Sequence, residues 1–373
     1  MEKIKEKNEK MKKFMAKFEG MPERVAKYIE VLLLGKDASP TSWIDKSSFR
    51  EIAINPTTKC NLACLWCHRR ETEVQNQNIL GKDMDFERFK KFAPELKGFK
   101  KAHLGGLGEF LTYPKIIEVI ELCRKYVPEL VLTTNSTLLT KDMTHKLAKA
   151  GVTYLETSID SFEKGGQEKY RGFGIAELDK ILPNLQYFSD NTSIPIQVNS
   201  VVSALNVDSL YPAIDVLKDI KNLVVMHTIK LFMTQFMVKQ GIKRATSEQY
   251  KNLLLHWKER IKVLGLKNLK IYPDVDEVEL DPVITMKQKH NICFSPFEAP
   301  FIRYDGYFVP CGIMSHVGLD NAFDLGFEKA WNGPKFTQFR KNILAAKYPQ
   351  WCKDECDLRS SCELAKPTIH EKN

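Results

Sequence analysis

Along the chain, short β-rich segments alternate with stretches whose apolar residues recur at helical spacing. The β-rich segments cover residues 51–55, 101–104, 129–134, 152–159, 194–202 and 222–228, and helical patterns cover 86–96, 114–126, 141–150, 175–188 and 208–220. Strand followed by helix, repeated in this way, predicts an α/β fold with a parallel sheet and right-handed crossovers. A complete barrel takes eight such units. Six units predict a partial (β/α)6 TIM-like barrel over residues 48–235.

The flanking segments read differently. Residues 1–47 are expected to form a helical extension, because Ile4, Met11, Phe14, Met15 and Phe18 fall on one side of a helix. Glutamates scattered among its lysines argue against a transit peptide, and no apolar stretch suits a signal peptide. A helix packed on the main domain is the simpler reading, with a membrane-surface helix as the alternative. Residues 236–285 read as a basic helical linker. Thr246 with Gln249 forms a capping-box pattern, and Tyr250, Leu254, Trp257, Ile261 and Leu264 follow at helical spacing. From 286 to 373 helical repeats are few, and 301–311 reads as a hairpin about the turn Asp305-Gly306. A small, metal-organised C-terminal domain is expected there.

Composition adds exclusions. The 373 residues are 43% hydrophobic and 28% charged, as in globular proteins. No apolar run reaches the roughly 18 residues of a membrane span, so a cytoplasmic location without one is expected. The net charge is +9, and residues 239–270 hold nine Lys or Arg against two Glu. That stretch is either a solvated face or a docking surface for an anionic partner. Nucleic-acid binding would need interleaved aromatics and clustered basic loops, and only the basic stretch is present. Nine cysteines, an odd number with no secretory signal, point to metal binding in a reducing compartment rather than to disulfides.

The cysteines fall into two groups. Cys60, Cys64 and Cys67 make a C-x3-C-x2-C arrangement just after the first strand, at the strand end where α/β sheets bind ligands. Three thiolates can hold three irons of a four-iron cluster and leave the fourth open, which means chemistry. A zinc site would recruit a fourth ligand, and His68 is too close to Cys67 to serve easily. The second group is Cys293 and Cys311, with Gly306 between them, then Cys352, Cys356 and Cys362. Four-cysteine zinc is the alternative there. Cys123, on an apolar helix face, reads as a core thiol.

The loop after strand one of a six-unit barrel resembles the radical S-adenosylmethionine (SAM) superfamily. Gly105-Gly106-Leu107-Gly108-Glu109 resembles the family's segment that meets the amino group of SAM's methionine, with Phe110 where proline is commoner. Glycines allow close backbone approach, and a carboxylate suits an ammonium. Asn135 after strand three, and Ser158 and Asp160 after strand four, resemble ligand-side segments; Ser158 and Asp160 would serve the ribose. Turn formation or helix capping is the alternative for Asn135 and Asp160. Arg171 in Tyr170-Arg171-Gly172 would lie near the methionine carboxylate, or be a solvated arginine. Asn199 would face the ligand, and Trp66 would cover cluster or adenine, or simply pack.

The C-terminal cysteines resemble the SPASM or twitch auxiliary-cluster appendage, whose linking helix Trp331-Asn332-Gly333, Phe336 and Arg340 fit. The double-cluster form carries seven cysteines in this region, and this chain has five. The resemblance therefore implies one auxiliary [4Fe–4S] cluster on Cys293, Cys311, Cys352 and Cys356, with Cys362 as an alternative ligand. It further implies a SAM-binding [4Fe–4S] cluster, a 5′-deoxyadenosyl radical, and an electron donor such as a flavodoxin or ferredoxin. The substrate would be a small molecule or peptide, with the basic surplus favouring an anionic one. An iron–sulfur electron-transfer or carrier protein without SAM chemistry is the rival reading.

Overall fold

A computed structural model describes residues 27–28, 44–49, 51–172, 175–231, 235–275, 293–312, 314–350 and 352. The N-terminal helix expected over Ile4–Phe18, and Cys356 and Cys362, lie outside them.

All six predicted strands form. They are β1 (Ile52–Ile54), β2 (Lys101–Leu104), β3 (Glu129–Thr134), β4 (Tyr154–Ser158), β5 (Ile196–Val202) and β6 (Leu223–Lys230). Each pairs in parallel with the next, as in Ile54 opposite Leu104, Thr133 opposite Glu156 and Ser158 opposite Asn199. Helices return the chain between strands: α1 (Phe86–Phe92), α2 (Ile116–Arg124), α3 (Lys141–Ala150), the short α4 (Gly166–Arg171), α5 (Leu178–Asn191) and α6 (Ala213–Leu217). The apolar positions of α2 illustrate the cause: Ile116, Val119, Ile120 and Cys123 form one stripe and are all buried. Cys123 is fully buried, and burial pushes its thiol up to about 12, as expected of a core thiol.

The sheet extends beyond the six strands. After β6 the basic helix α7 (Ser247–Val263) starts at the expected capping box, with Thr246 and Gln249 bonded reciprocally. Its Tyr250, Leu253, Leu254 and Trp257 are buried, and the indole of Trp257 donates to the Leu210 carbonyl at 2.9 Å. A seventh strand, β7 (Lys270–Tyr272), then joins β6 in parallel. Three residues are too few to show periodicity, which is why the sequence pattern passes over it.

The hairpin forms where predicted, as β8 (Phe301–Ile302) and β9 (Phe308–Val309), antiparallel. Gly306 turns it with φ of 90°, and a Cβ there would stand 2.5 Å from the Phe323 ring. Strand β8 pairs in parallel with β1, so the C-terminal region continues the barrel's own sheet, in the order β7-β6-β5-β4-β3-β2-β1-β8-β9. Helix α8 (Pro334–Leu344) closes this side. Its Arg340 is fully buried, donates to the carbonyls of Pro296 (2.8 Å) and Trp331 (2.5 Å), and lies 3.8 Å over the Phe336 ring. The guanidinium thereby ties α8 to the segment that follows Cys293. Among the described residues no helix is long and apolar enough to cross a membrane.

Candidate active site at the carboxyl ends of the strands

The cysteine loop leaves β1 and is fastened on several sides. Arg69 donates to the carbonyls of Thr58 and Leu107, and Glu109 N–H donates to the Lys59 carbonyl at 2.8 Å. Leu65 N–H reaches the Tyr170 carbonyl at 2.8 Å, which joins the loop to α4. Gly108 permits this closeness: a Cβ there would stand 2.1 Å from the Thr57 carbonyl oxygen. At Gly108, then, the close approach is to the cysteine loop's own backbone.

Beneath the loop lies a cavity of about 460 Å³. Of the expected site residues, Cys64, Trp66, Cys67, Gly106, Ser158, Asp160, Arg171 and Asn199 all line it. Asp160 is the electrostatic centre. It is 1% exposed, and its Oδ2 accepts from the Trp66 indole (3.1 Å) with Arg171 Nη1 3.3 Å away. Its Oδ1 accepts from the Val201 N–H at 2.8 Å. Burial raises its carboxyl above the ordinary range, against Arg171 and the two donors. For Arg171, burial works against the charge, but Asp160 and the Cys64 and Cys67 thiols together hold the guanidinium charged more firmly than usual. Trp66 stacks on Tyr170 with ring centroids 5.4 Å apart, so it both packs and faces the cavity.

Of the expected site residues, Cys60, Gly108, Glu109 and Asn135 are not part of that lining. Glu109 does not line the cavity; its Oε1 accepts from Thr134 Oγ1 (2.7 Å) and its Oε2 from Asn135 N–H (2.7 Å). It clips the glycine segment to the end of β3. Asn135 accepts from Thr137 N–H (3.0 Å) in a local turn, and its amide donates to Asn61 (2.9 Å) beside Cys60. Both residues brace the cysteine loop.

The three loop thiols suit an iron–sulfur cluster. All seven described cysteines are free of disulfides. Cys60 and Cys67 flank Leu62 and Cys64 in one small cluster. Burial pushes the Cys67 thiol up to about 11 and also raises Cys60, so gathered thiolates need a cation's charge. Among the described residues no three His, Cys, Asp or Glu side chains converge on a point where they could hold one metal ion. Three thiols on one loop match a cluster in which each binds its own iron. Of the second group, Cys293, Cys311 and Cys352 are half-buried, and Gly312 beside Cys311 lines the same cavity.

The strands also place polar residues that the sequence reading passed over. His103 lines the cavity beside Thr133 of the ligand-side segment Thr133-Thr134-Asn135, and Glu51, Glu156, Gln197 and His227 continue the row across the sheet. The signal was alternation. Parallel strands covered on both faces read as continuous apolar runs, whereas Tyr154-Leu155-Glu156-Thr157-Ser158 and Ile196-Gln197-Val198-Asn199 do not.

Comparison with known proteins follows the same division of the chain. A sequence model of the radical SAM superfamily matches residues 54–205, and one of the SPASM iron–sulfur cluster-binding domain matches 293–357. A Pyrococcus furiosus tungsten-containing aldehyde ferredoxin oxidoreductase cofactor-modifying protein is 26% identical over 84% of this chain and 88% of its own length. A probable GTP 3′,8-cyclase of Pyrococcus abyssi is 31% identical over 44% of this chain, about half (51%) of the cyclase. Among solved structures, Streptococcus suis SuiB bound to its precursor peptide SuiA superposes with a TM-score of 0.61 at 16% identity, covering 79% of this chain and 67% of that one. The enzyme anSMEcpe with bound AdoMet gives 0.58 at 16% identity, covering 82% and 87%. At such identity the likeness is one of fold.

Proposed function

Because the chain belongs to the radical SAM superfamily and carries a C-terminal SPASM domain, we propose that it abstracts a hydrogen atom from a substrate held in the barrel and completes a net oxidation, crosslinking or epimerisation. The family implies a [4Fe–4S] cluster with SAM and auxiliary iron–sulfur binding. Bound on Cys60, Cys64 and Cys67, that cluster would supply the electron that splits SAM into methionine and a 5′-deoxyadenosyl radical. The observation that carries the reading is one cavity lined together by Cys64, Cys67, Ser158, Asp160, Arg171 and Asn199.

The chain's own residues have definable parts. Arg171 offers its guanidinium to a carboxylate while Asp160 keeps it oriented. Ser158 and Asp160 present a hydroxyl and a carboxylate to a ribose, and Trp66 covers them. Leu107 and Phe301, both buried, give the cavity an apolar wall. Glu109 and Asn135 act through the loop they brace.

Cys293, Cys311, Cys352 and Cys356, with Cys362 as the alternative, would hold one auxiliary cluster whose four ligands close it to substrate. Held by these cysteines, such a cluster would supply an acceptor for one electron from the substrate. Names of similar proteins span peptide, GTP and cofactor chemistry. Protein purified without oxygen should hold about eight irons per chain, from two four-iron clusters. Cys293→Ala and Cys311→Ala should each halve that content and lose substrate turnover while retaining SAM cleavage. Unimpaired turnover would sink the relay.

A further inference from the structure

We infer that the barrel's inner face is built to receive a substrate carrying an ammonium or guanidinium group, held at Glu156; this rests on the reading of the chain as a radical SAM enzyme whose substrate enters the barrel. The outer face of the strands is apolar, with Ile52, Leu104, Leu155 and Val198 buried. The inner face is a continuous polar row. His103 Nδ1 lies 3.3 Å from Glu51 Oε1, and its Nε2 lies 2.7 Å from Thr133 Oγ1. Thr133 donates to Glu156 Oε2 at 3.1 Å, and the Asn199 amide donates to the same oxygen at 3.1 Å.

Both donors fall on Oε2. Oε1 of Glu156 has no hydrogen-bond partner among the described residues, and the side chain keeps 19% of its surface open. A half-satisfied carboxylate bonded directly to the cavity-lining Thr133 and Asn199 invites an N–H donor. A second unpartnered group stands at the end of β1, three strands across the sheet from Glu156. Asn55 lies two residues after the cavity-lining Ala53, on the same face of β1, and is fully buried with both amide atoms unpartnered.

Charge decides what kind of donor fits. Arg171 is the only lysine or arginine among the described cavity-lining residues, and Asp160 holds it at 3.3 Å. Lys101, further down the row, is held by Glu51 at 2.9 Å. Neither is left for Glu156; its nearest basic group is the His103 imidazole, with Nε2 3.7 Å from Oε2, so Oε1 is the oxygen an incoming cationic substrate would meet. A polyphosphate would instead meet Glu156, Glu51 and Asp160. The basic surplus that favoured an anionic substrate sits on and around α7, where Lys251, Lys258, Lys262 and Lys267 are exposed, on the outer layer.

The test uses the full chain with both clusters reconstituted, SAM bound and the first cluster reduced. Nα-acetyl-lysine amide, Nα-acetyl-norleucine amide and GTP are titrated while the electron paramagnetic resonance spectrum of the SAM-bound cluster is followed. The lysine probe should bind at least about tenfold tighter than norleucine, as one charge-assisted hydrogen bond warrants. Glu156→Gln should erase that preference, and Glu156→Asp should restore part of it. Equal binding of the two amides, tighter binding of GTP, or no response to any probe overturns the inference. SAM cleavage without probe is measured on the same sample; its absence would instead indict the enzyme reading.

Discussion

Arg171→Met should weaken SAM binding by about 10²-fold and lower the stability of the fold by about 3–5 kcal/mol, the cost of leaving a buried charge without its partner. Asp160 is 1% exposed and Arg171 is its nearest cation, at 3.3 Å. The Trp66 and Val201 donors remain in the variant but do not neutralise the carboxylate. The double variant Asp160→Asn/Arg171→Met removes the uncompensated charge, so stability should largely return while SAM binding stays weak. Chemical unfolding with calorimetric SAM titration checks both halves. If SAM affinity recovered together with stability, the pair would be a structural strut and not part of the binding site.

Cys64→Ala should abolish reductive SAM cleavage and roughly halve the bound iron, since a three-cysteine loop has no ligand to spare. Cys64 stands on the cavity wall and helps to hold the charge of Arg171, so its loss also removes part of what favours the charged guanidinium. The iron that remains should belong to the C-terminal site, with its own resonance spectrum. Iron and sulfide assay with that spectrum measures the effect. Retained cleavage by Cys64→Ala would show that the loop does not carry the reactive cluster.

Much of the fold was legible because each strand is a compact β-rich segment bounded by helical periodicity. The capping box at Thr246 and the turn at Asp305-Gly306 were equally local, and both are present. What was not legible depends on distant partners. Nothing in Phe301-Ile302 announces that it pairs with Ala53-Ile54, some 250 residues earlier in the chain. The same holds for the site. The C-x3-C-x2-C spacing and the polar residues at strand ends are read directly, and most of them do meet in one cavity. Glu109 reads as a ligand group because a carboxylate beside glycines suits an ammonium; only the assembled sheet shows that Thr134 and Asn135, at the end of another strand, also donate to its two oxygens. Glu156 and His103 were legible in principle, as polar residues alternating through parallel strands, but only the assembled sheet shows that they share a face with the cysteine loop.

The central claim is that the cavity under Cys64 and Cys67 binds SAM at a cluster and splits it. Protein purified anaerobically and shown to be cluster-replete is mixed with SAM and a strong reductant, and 5′-deoxyadenosine is quantified. Formation of 5′-deoxyadenosine and methionine in equal amounts, absent in Cys64→Ala, is the result expected. A cluster-replete sample that leaves SAM intact would contradict the account and favour an iron–sulfur carrier.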